Sequence, residues 1–395
     1  MRGGADGLHL FPAIGDIQYY LHRRDIAIEA PSSDINSALD LGALSNGGYR
    51  GMNPNLEPLM EIWDAGQMMV APSTALGFNN RSHFDAQRWI GNGAQDNSID
   101  GYLNRYLQIA SRTSDTFRGL VAGKTSPSTA LIGDIVIPIV SNTDNYSIHE
   151  SQNFCNGPGC LENNLLESMS EIASNGAGLT SIEKQIRDNQ MLMVEALQVV
   201  EAAGKSYTSS ANGREYSNSS IGSGLKTIAQ LLKAETPIEV ATLDWNIGWD
   251  THSNQISNTS DRFSDQNFFY HKKMREGAED MLTFFRDMGP MMRDIIVLVG
   301  SEFGREVKQN GARGTDHGHG GAFFAFGGNV TPGVGPDIKS LEEQELKDGR
   351  YVPMVTDVRD LIAEILVKHM YLPENLVSTV LPGHNFTDHG LFNGI

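Results

Sequence analysis

The chain has 395 residues, 39% of them hydrophobic and 20% charged, which is the balance of a globular protein with one large domain or two smaller ones. Its 30 basic and 48 acidic residues give a net charge of −18, which argues against nucleic acid or an anionic membrane surface as a partner. No apolar run approaches the roughly 20 residues of a membrane span.

The first half of the chain alternates predicted helices and strands. Apolar spacing predicts helices over 55–66, through Gln87 and Trp89, and over 100–112. Strands are predicted over 68–71 and over the β-branched segment 129–141. A Ser/Asn/Gly-rich loop at 142–162 then indicates a surface insertion.

The two cysteines of the chain, Cys155 and Cys160, both lie in that loop, in the segment CNGPGC. Four residues rich in Gly and Pro between them allow a small disulfide ring, and two free thiols are the alternative. The spacing disfavours a zinc ribbon or a thioredoxin-type site, which use CxxC. A bridge would place the protein outside the cytosol.

The second half shows a clearer alternation of strands and helices. Strands are predicted over 238–245, 294–300 and 322–328, and helices over 179–203, 219–235, 263–288 and 355–370. This order predicts an α/β fold with a mostly parallel central sheet and helices on both faces. Ligands of such sheets bind at the carboxyl ends of the strands.

Six acidic and histidine side chains fall at those strand ends, in Gly-rich turns: Asp250, His252, Glu302, Asp316, His317 and His319. Carboxylates and imidazoles at such positions are the ligands that divalent metal ions require beside a substrate. A single Asp-His pair would be read as polar turn residues. Two clusters after buried-type strands favour a metal site.

Five segments resemble the bacterial domain-of-unknown-function 1501 family: RGGADGL at 2–8, RSHFDAQ at 81–87, GWDTHSNQ at 248–255, SEFGRE at 301–306 and GTDHGHGG at 314–321. That family is grouped with the alkaline phosphatase and sulfatase superfamily. The resemblance implies one alkaline-phosphatase-like domain over 1–395, with a mainly helical and loop insertion around 142–235. It also implies a twin-arginine export signal and a first strand ahead of RGGADGL, and therefore a periplasmic or extracellular protein. This chain shows neither segment, so we expect that its first strand is missing.

The resemblance further implies two divalent metal ions, Zn²⁺ or Mn²⁺ by the chemistry of the donors. One ion would be bound by Asp6, Asp316 and His317. The other would be bound by Asp250, His252 and a later histidine. For that last ligand His319 is preferred, because it lies in the same turn, with His384 and His389 as rivals.

A nucleophile for such a site should lie at a helix N-terminus, where backbone N–H groups favour an anion. Ser82 has this position, and Arg81 is available to bind substrate oxygens. Thr74 is the other candidate nucleophile, and a simple helix cap is the other explanation of Ser82. Glu302 and Arg305 are expected to support the ligands from behind, a surface salt bridge being the alternative. His83 is either a ligand or a polar residue with ordinary partners.

These residues predict a metal-dependent hydrolase of phosphate mono- or diesters, acting on a small-molecule or polymer-linked ester. A sulfatase is less favoured, because neither cysteine lies in the C/S-x-P-x-R setting that those enzymes use. A phosphomutase would need a cap domain with a substrate-binding signature. The alternative from another class is an exported binding or scaffold protein that keeps the fold and the metal without turnover.

Overall fold

The computed structural model describes residues 1–43, 49–78, 80–95, 100–110, 117–143 and 181–394. Cys155 and Cys160 lie outside these residues, as does most of the loop at 142–162. The choice between a disulfide ring and free thiols therefore stays at the level of the sequence.

The described strands form three sheets. They are β1 (Leu39–Ala43), β2 (Tyr49–Met52), β3 (Met68–Ala75), β4 (Gly119–Ala122), β5 (Ile139–Val140), β6 (Val240–Thr242), β7 (Ile296–Val299), β8 (Gly321–Gly327), β9 (Gly333–Val334) and β10 (Thr356–Asp357). The largest sheet has the order β10-β3-β8-β7, with β9 also paired to β3. A second sheet has the order β5-β4-β6, and β1 pairs with β2.

The strand directions make this a mixed α/β fold. β8 is antiparallel to both of its neighbours, β3 and β7, whereas β9 and β10 run parallel to β3. The sheet β5-β4-β6 is parallel throughout. The prediction of one mostly parallel central sheet is therefore met only in part. The chain between β7 and β8, residues 300–320, contains no helix and folds back on itself through an Arg305–His317 bridge, so the next strand returns in the opposite direction.

The helices pack around these sheets. They are α1 (Gly7–Leu10), α2 (Ile17–His22), α3 (Met60–Asp64), α4 (His83–Asn92), α5 (Tyr102–Ile109), α6 (Ser181–Ser206), α7 (Ser220–Lys233), α8 (Phe269–Met288), α9 (Val358–Glu364) and α10 (Val377–Val380). No helix among the described residues is long and apolar enough to cross a membrane.

Both faces of the largest sheet are buried. Along β3, Met68 and Val70 belong to one apolar core, and Met69 belongs to a second core on the opposite face. β8 divides in the same way, with Phe324 in the first core and Phe323 in the second. Successive side chains of a strand point to opposite faces, so two cores require the continuous apolar runs that these strands have.

Most predicted elements occur near their expected positions, and the main differences have local causes. The segment 129–141 contains a short 3₁₀ helix, Thr129–Leu131, and only the two-residue strand β5. The long strand expected there is interrupted by a bend at Gly133, whose φ of +158° is one that L side chains rarely adopt, and at Pro138, which has no N–H to donate to a neighbouring strand. The helix expected over 355–370 consists of α9 followed by a π-helical turn, Ile365–His369.

Candidate metal centre

Three loops carry the side chains that meet at one point. The first loop follows β3 and ends with His83 at the start of α4. The second loop follows β6 and carries Asp250 and His252. The third loop joins β7 to β8 and carries His317. The second and third loops pack backbone against backbone. A Cβ at Gly314 would lie 2.4 Å from the carbonyl carbon of His252, so only glycine permits this approach.

Three imidazoles and one carboxylate converge in this cluster. The Nε2 atom of His317 lies 3.1 Å from Nε2 of His83 and 3.0 Å from Nε2 of His252. Asp250 Oδ1 lies 3.1 Å from Nε2 of His317 and 3.0 Å from Nε2 of His252. Its other oxygen, Oδ2, lies 3.5 Å from Nε2 of His83.

The opposite nitrogen of each ring faces an oxygen acceptor. The Nδ1 contacts are His83 with Glu302 Oε1 at 2.7 Å, His252 with Asp316 Oδ1 at 2.9 Å, and His317 with the carbonyl oxygen of Arg81 at 2.9 Å. Carboxylates and carbonyls only accept, so each Nδ1 carries the proton and donates it. In the neutral ring the Nε2 atom then carries a lone pair. When all three rings are neutral, three lone pairs and the Asp250 carboxylate therefore face the cluster without a proton between them.

This arrangement fits a metal ion. Imidazole and carboxylate ligands lie about 2.1 Å from Zn²⁺, so ligands at tetrahedral angles are about 3.4 Å from one another. The contacts of His317 with the other two rings, and of Asp250 with all three rings, run from 3.0 to 3.5 Å. The ligand atoms of His83, Asp250 and His317 all lie within 4.8 Å of one another, and His252 joins this group through His317 and Asp250. Ligating histidines usually donate their other ring N–H to a carboxylate or a carbonyl, as all three rings do here.

The charges around the cluster also suit a divalent cation. Asp250 accepts a hydrogen bond from the fully buried guanidinium of Arg305, whose other donors bind the carbonyl oxygens of Gly3, Gly4, Thr315 and Trp249. The three carboxylates in contact with the imidazoles or within the cluster are Asp250, Glu302 and Asp316. One guanidinium against three carboxylates leaves two negative charges, which a divalent ion would neutralise.

Two pKa shifts favour the metal-binding protonation states. Burial lowers the pKa of His317 below its ordinary value, which favours the neutral ring. Burial alone would raise the pKa of Asp250, but the hydrogen bond and charge of Arg305 outweigh it and the pKa is lowered. The side chains of Asp250 and His252 are 43% and 47% exposed, so the cluster is open to solvent and to a ligand on its outer side.

Three residues that were expected to be ligands are not among the four that converge. Asp316 contacts Nδ1 of His252, on the opposite side of that ring from the cluster, at 2.9 Å, and Asp6 and His319 lie elsewhere. Asp6 is buried and forms a bidentate ion pair with Arg23, at 2.6 and 3.0 Å, and accepts a further hydrogen bond from Gln255 at 2.7 Å. Both of its oxygens are therefore occupied away from the cluster. His319 is also buried, and its pKa is lowered to about 4 by burial, with smaller effects of Lys347 and Arg81. The structure brings neither side chain to the imidazoles.

The rival histidines have a separate partner. His384 and His389 direct their Nε2 atoms at the two oxygens of Asp360, at 2.8 and 3.1 Å. The N–H of Thr387 donates to the same carboxylate at 2.8 Å. These residues hold the C-terminal segment against α9.

Ser82, the expected nucleophile, and Arg81, which was expected to bind substrate oxygens, lie next to His83 of the cluster in the sequence. Ser82 occupies the N-cap position of α4, but its side chain makes no capping hydrogen bond. The guanidinium of Arg81 lies 4.7 Å from the ring centre of Tyr351 and donates to its hydroxyl. Thr74 is buried and donates to the carbonyl of Ala71 within its own strand, at 3.1 Å, so it does not face the cluster.

Several contributors carry no local sequence signal. Tyr351 lies far from Arg81 in sequence, and Gln87 donates to Glu302 from α4 at 2.8 Å. Asn310 donates to the His252 carbonyl at 2.8 Å and to Asp316 at 3.2 Å. His83 was recognisable as a histidine at a helix start, but its partners only follow from the three-dimensional structure.

Comparison with known proteins shows to which family the chain belongs. Searches of the curated proteins and of the solved structures found no match. Residues 80–386 match the family model described as Protein of unknown function (DUF1501), and this segment contains all three imidazoles and the carboxylate of the cluster. Because the match covers 307 of 395 residues, the chain belongs to the family described as Protein of unknown function (DUF1501).

Proposed function

We propose that the protein binds a divalent transition metal through His83, His252, His317 and Asp250 and uses it to hydrolyse phosphate mono- or diesters. The observation that carries the proposal is the orientation of the three rings. Each Nδ1 donates to an oxygen, so each neutral ring presents a lone pair on Nε2. The Nε2 atoms of His83 and His252 lie 3.1 and 3.0 Å from that of His317, and the Asp250 carboxylate contacts all three rings. In the absence of a cation these groups repel one another.

The donor set selects the kind of metal. Three imidazoles with one carboxylate suit Zn²⁺, Mn²⁺ or iron better than Mg²⁺ or Ca²⁺, which prefer oxygen ligands throughout. A bound ion would act as a Lewis acid on a phosphoryl or sulfuryl oxygen. The distances support one ion at this point. A second ion, expected from the alkaline phosphatase and sulfatase superfamily, stays a prediction, as do that superfamily's fold and a periplasmic or extracellular location.

Arg81 is suited to bind the non-bridging oxygens of the ester. Its carbonyl accepts the hydrogen bond from His317 Nδ1, so the residue is attached directly to the cluster. Its guanidinium is held over the ring of Tyr351 and forms no ion pair with a carboxylate among the described residues. A guanidinium that is fixed in place and not neutralised binds tetrahedral oxyanions bidentately.

Ser82 is proposed as the oxygen nucleophile. It lies between Arg81 and His83 at the start of α4, and its hydroxyl does not cap the helix. In the proposed reaction the hydroxyl oxygen attacks phosphorus and its proton passes to solvent. The bond from phosphorus to the leaving oxygen breaks, and that oxygen keeps the electron pair and takes a proton from water. A water molecule then attacks the phosphoserine, which releases phosphate and restores the hydroxyl group.

A second candidate is a metal-binding protein without turnover. One observation favours it: among the residues that the structure describes, no acceptor of a proton from the Ser82 hydroxyl is hydrogen-bonded to it. Such a protein would contain the same cluster, and the substitution Ser82→Ala would leave its metal binding unchanged. Hydrolysis of an ester by wild-type protein that Ser82→Ala abolishes would exclude this candidate.

Metal content tests the centre itself. Protein purified without chelator should contain near-stoichiometric zinc, manganese or iron by plasma mass spectrometry, and His317→Ala should lose most of it. His369→Ala is the matched control, because its ring is hydrogen-bonded to Asn329 at 3.2 Å, beyond the opposite end of β8 from the loop that carries His317. Folded wild-type protein that takes up no metal, even after incubation with Zn²⁺ or Mn²⁺, would refute the proposal.

Aryl esters then test the reaction. Metal-loaded protein should release nitrophenol from p-nitrophenyl phosphate or bis(p-nitrophenyl) phosphate, and p-nitrophenyl sulfate tests the sulfatase variant. Metal binding without any ester hydrolysis would favour the non-catalytic candidate.

A further inference from the structure

A buried amide connects the two loops that carry three of the four proposed ligands. Gln255 is fully buried, and its Oε1 atom accepts hydrogen bonds from the hydroxyls of Thr251, at 3.0 Å, and Thr315, at 3.1 Å. Thr251 lies between the proposed ligands Asp250 and His252. Thr315 lies two residues before His317.

The other side of the amide is attached to a buried ion pair. Gln255 Nε2 donates to Asp6 Oδ2 at 2.7 Å, and Arg23 holds the same carboxylate at 2.6 and 3.0 Å. Because a carboxylate only accepts, Asp6 fixes the amide with its nitrogen inward and its oxygen toward the two threonines. Arg23 in turn donates to the carbonyls of Val307 and Glu306, at 2.9 and 3.0 Å.

The two loops also contact each other through the backbone. The N–H of Thr315 donates to the carbonyl of Thr251 at 3.0 Å, and the N–H of Gln255 donates to the carbonyl of Arg313 at 2.9 Å. The shared amide oxygen therefore fixes how far apart the two loops lie. A displacement of either loop would move Asp250 and His252 relative to His317.

We propose that Gln255 is a positioning residue of the metal centre. The Asp6–Arg23 ion pair holds its amide in place, and the amide in turn fixes the positions of both ligand loops. This inference rests on the proposed metal centre. It assigns a role to Asp6 that differs from metal ligation: the carboxylate acts on the centre through Gln255 and the two threonines. Groups that hydrogen-bond directly to metal ligands change metal affinity by about 10- to 100-fold when they are replaced, and for a residue one contact further away we expect the lower end of that range.

Removal of the two hydroxyls is the sharpest test. The double variant T251V/T315V keeps the volume and branching of both side chains and removes only the donors to Gln255. We expect Co²⁺ affinity, measured by titration, to fall by about tenfold. At saturating Co²⁺ the d–d absorption bands should shift, because the ligands no longer have the same geometry. The variant T251S/T315S retains both hydroxyls and should recover the wild-type affinity and spectrum.

A matched control separates positioning from general stability. Thr283 is also buried, and its hydroxyl donates to the Glu279 carbonyl within α8, at 2.7 Å, far from the loops in sequence. T283V should therefore leave the Co²⁺ spectrum and affinity unchanged. An unchanged affinity and spectrum in T251V/T315V, or an equal loss in T283V, would overturn the inference.

Hydrogen exchange on metal-free protein keeps the two proposals distinguishable. In T251V/T315V and in Gln255→Leu, the amides of 250–252 and 315–317 should exchange faster than in wild type, while those of α8 keep their rates. If wild-type protein binds no Co²⁺, the proposed function fails. Faster exchange confined to the two loops would still support Gln255 as the residue that holds them, and unchanged exchange would overturn it.

Discussion

Replacement of Glu302 by glutamine should weaken metal binding without disturbing the geometry of the cluster. Glu302 Oε1 accepts hydrogen bonds from His83 Nδ1, at 2.7 Å, and from Gln87 Nε2, at 2.8 Å. The same oxygen accepts the N–H of Gly3 at 2.8 Å, and Oε2 accepts the Ser301 hydroxyl at 2.8 Å. A glutamine oxygen can accept the three bonds to Oε1, so the proton stays on His83 Nδ1 and Nε2 keeps its lone pair. The glutamine NH2 would donate to the Ser301 hydroxyl, so the substitution removes one negative charge and reverses one hydrogen bond.

The charge can be converted into an expected loss of affinity. With 2.7 Å from Glu302 to His83 Nδ1, the width of the ring and a metal–nitrogen distance of about 2.1 Å, the carboxylate oxygen lies about 7 Å from the ion. Between one negative and two positive charges at that distance the attraction is about 5 kcal/mol at an effective dielectric constant of about 20, and about 1 kcal/mol in bulk water. Glu302 is buried and the cluster is half exposed, so we expect roughly 1.4–2.7 kcal/mol, a loss of about 10- to 100-fold in affinity.

Competition with a chromophoric chelator would measure this loss. Glu306→Gln is the charge-matched control, because Glu306 pairs with Arg350 at 2.6 Å and contacts none of the proposed ligands. Equal Kd values for Zn²⁺ in wild type and Glu302→Gln would refute the reasoning. So would an equal weakening in Glu306→Gln, which would point to net charge in general.

Three further outcomes are expected. Asp360→Asn should lower the free energy of unfolding at pH 7 by roughly 2–3 kcal/mol, because it disrupts the charged hydrogen bonds from His384 and its neighbours, and urea denaturation would measure it. Burial alone would raise the pKa of Asp360, but those hydrogen bonds outweigh it and the pKa is lowered. The stabilising contribution of Asp360 is therefore complete above the unfolded-state pKa of about 4 and is lost as pH falls through the folded-state pKa. If Asp360→Asn were still less stable than wild type by the same amount at about pH 3, this reasoning would be contradicted. Gly314→Ala should abolish metal uptake, because its Cβ would lie 2.4 Å from the backbone of His252, and wild-type metal content in that variant would show that the loops can separate. Arg81→Lys should raise KM for a phosphate ester by about tenfold, since a point charge replaces a bidentate donor, and an unchanged KM would remove Arg81 from substrate binding.

The sequence was sufficient to select those residues of the candidate centre that follow strands. Asp250, His252 and His317 could be selected because each lies in a Gly-rich turn after an apolar run. Such turns bring backbone segments close together, and Gly314 shows why glycine is required. Strand and helix positions were predictable for the same reason, because burial on two faces leaves continuous apolar runs such as β3 and β8.

The sequence could not give the partners that lie far apart in the chain. Asp6 was expected to bind a metal, yet the nearest cation to it is Arg23, and no local pattern distinguishes a carboxylate that binds a metal from one that pairs with arginine. The direction of β8 was equally open. A connection of 21 residues between β7 and β8 can lead to a parallel or an antiparallel strand, and the turn at 300–320 decides it through tertiary contacts.

The cluster is better explained by ligand binding than by fold stability. Buried hydrogen-bonded groups such as Asp6 and Gln255 have complete sets of partners and contribute to the fold. The three Nε2 atoms do the opposite. That of His317 lies 3.1 and 3.0 Å from those of His83 and His252, and the Asp250 carboxylate lies 3.0 to 3.5 Å from all three, while each Nδ1 proton is already donated elsewhere. Without a cation, that arrangement is destabilising unless a ring takes up a second proton, and burial disfavours this for His317. A fold that holds such groups in place from behind, through Glu302, Asp316 and the Arg81 carbonyl, has the organisation expected of a metal centre.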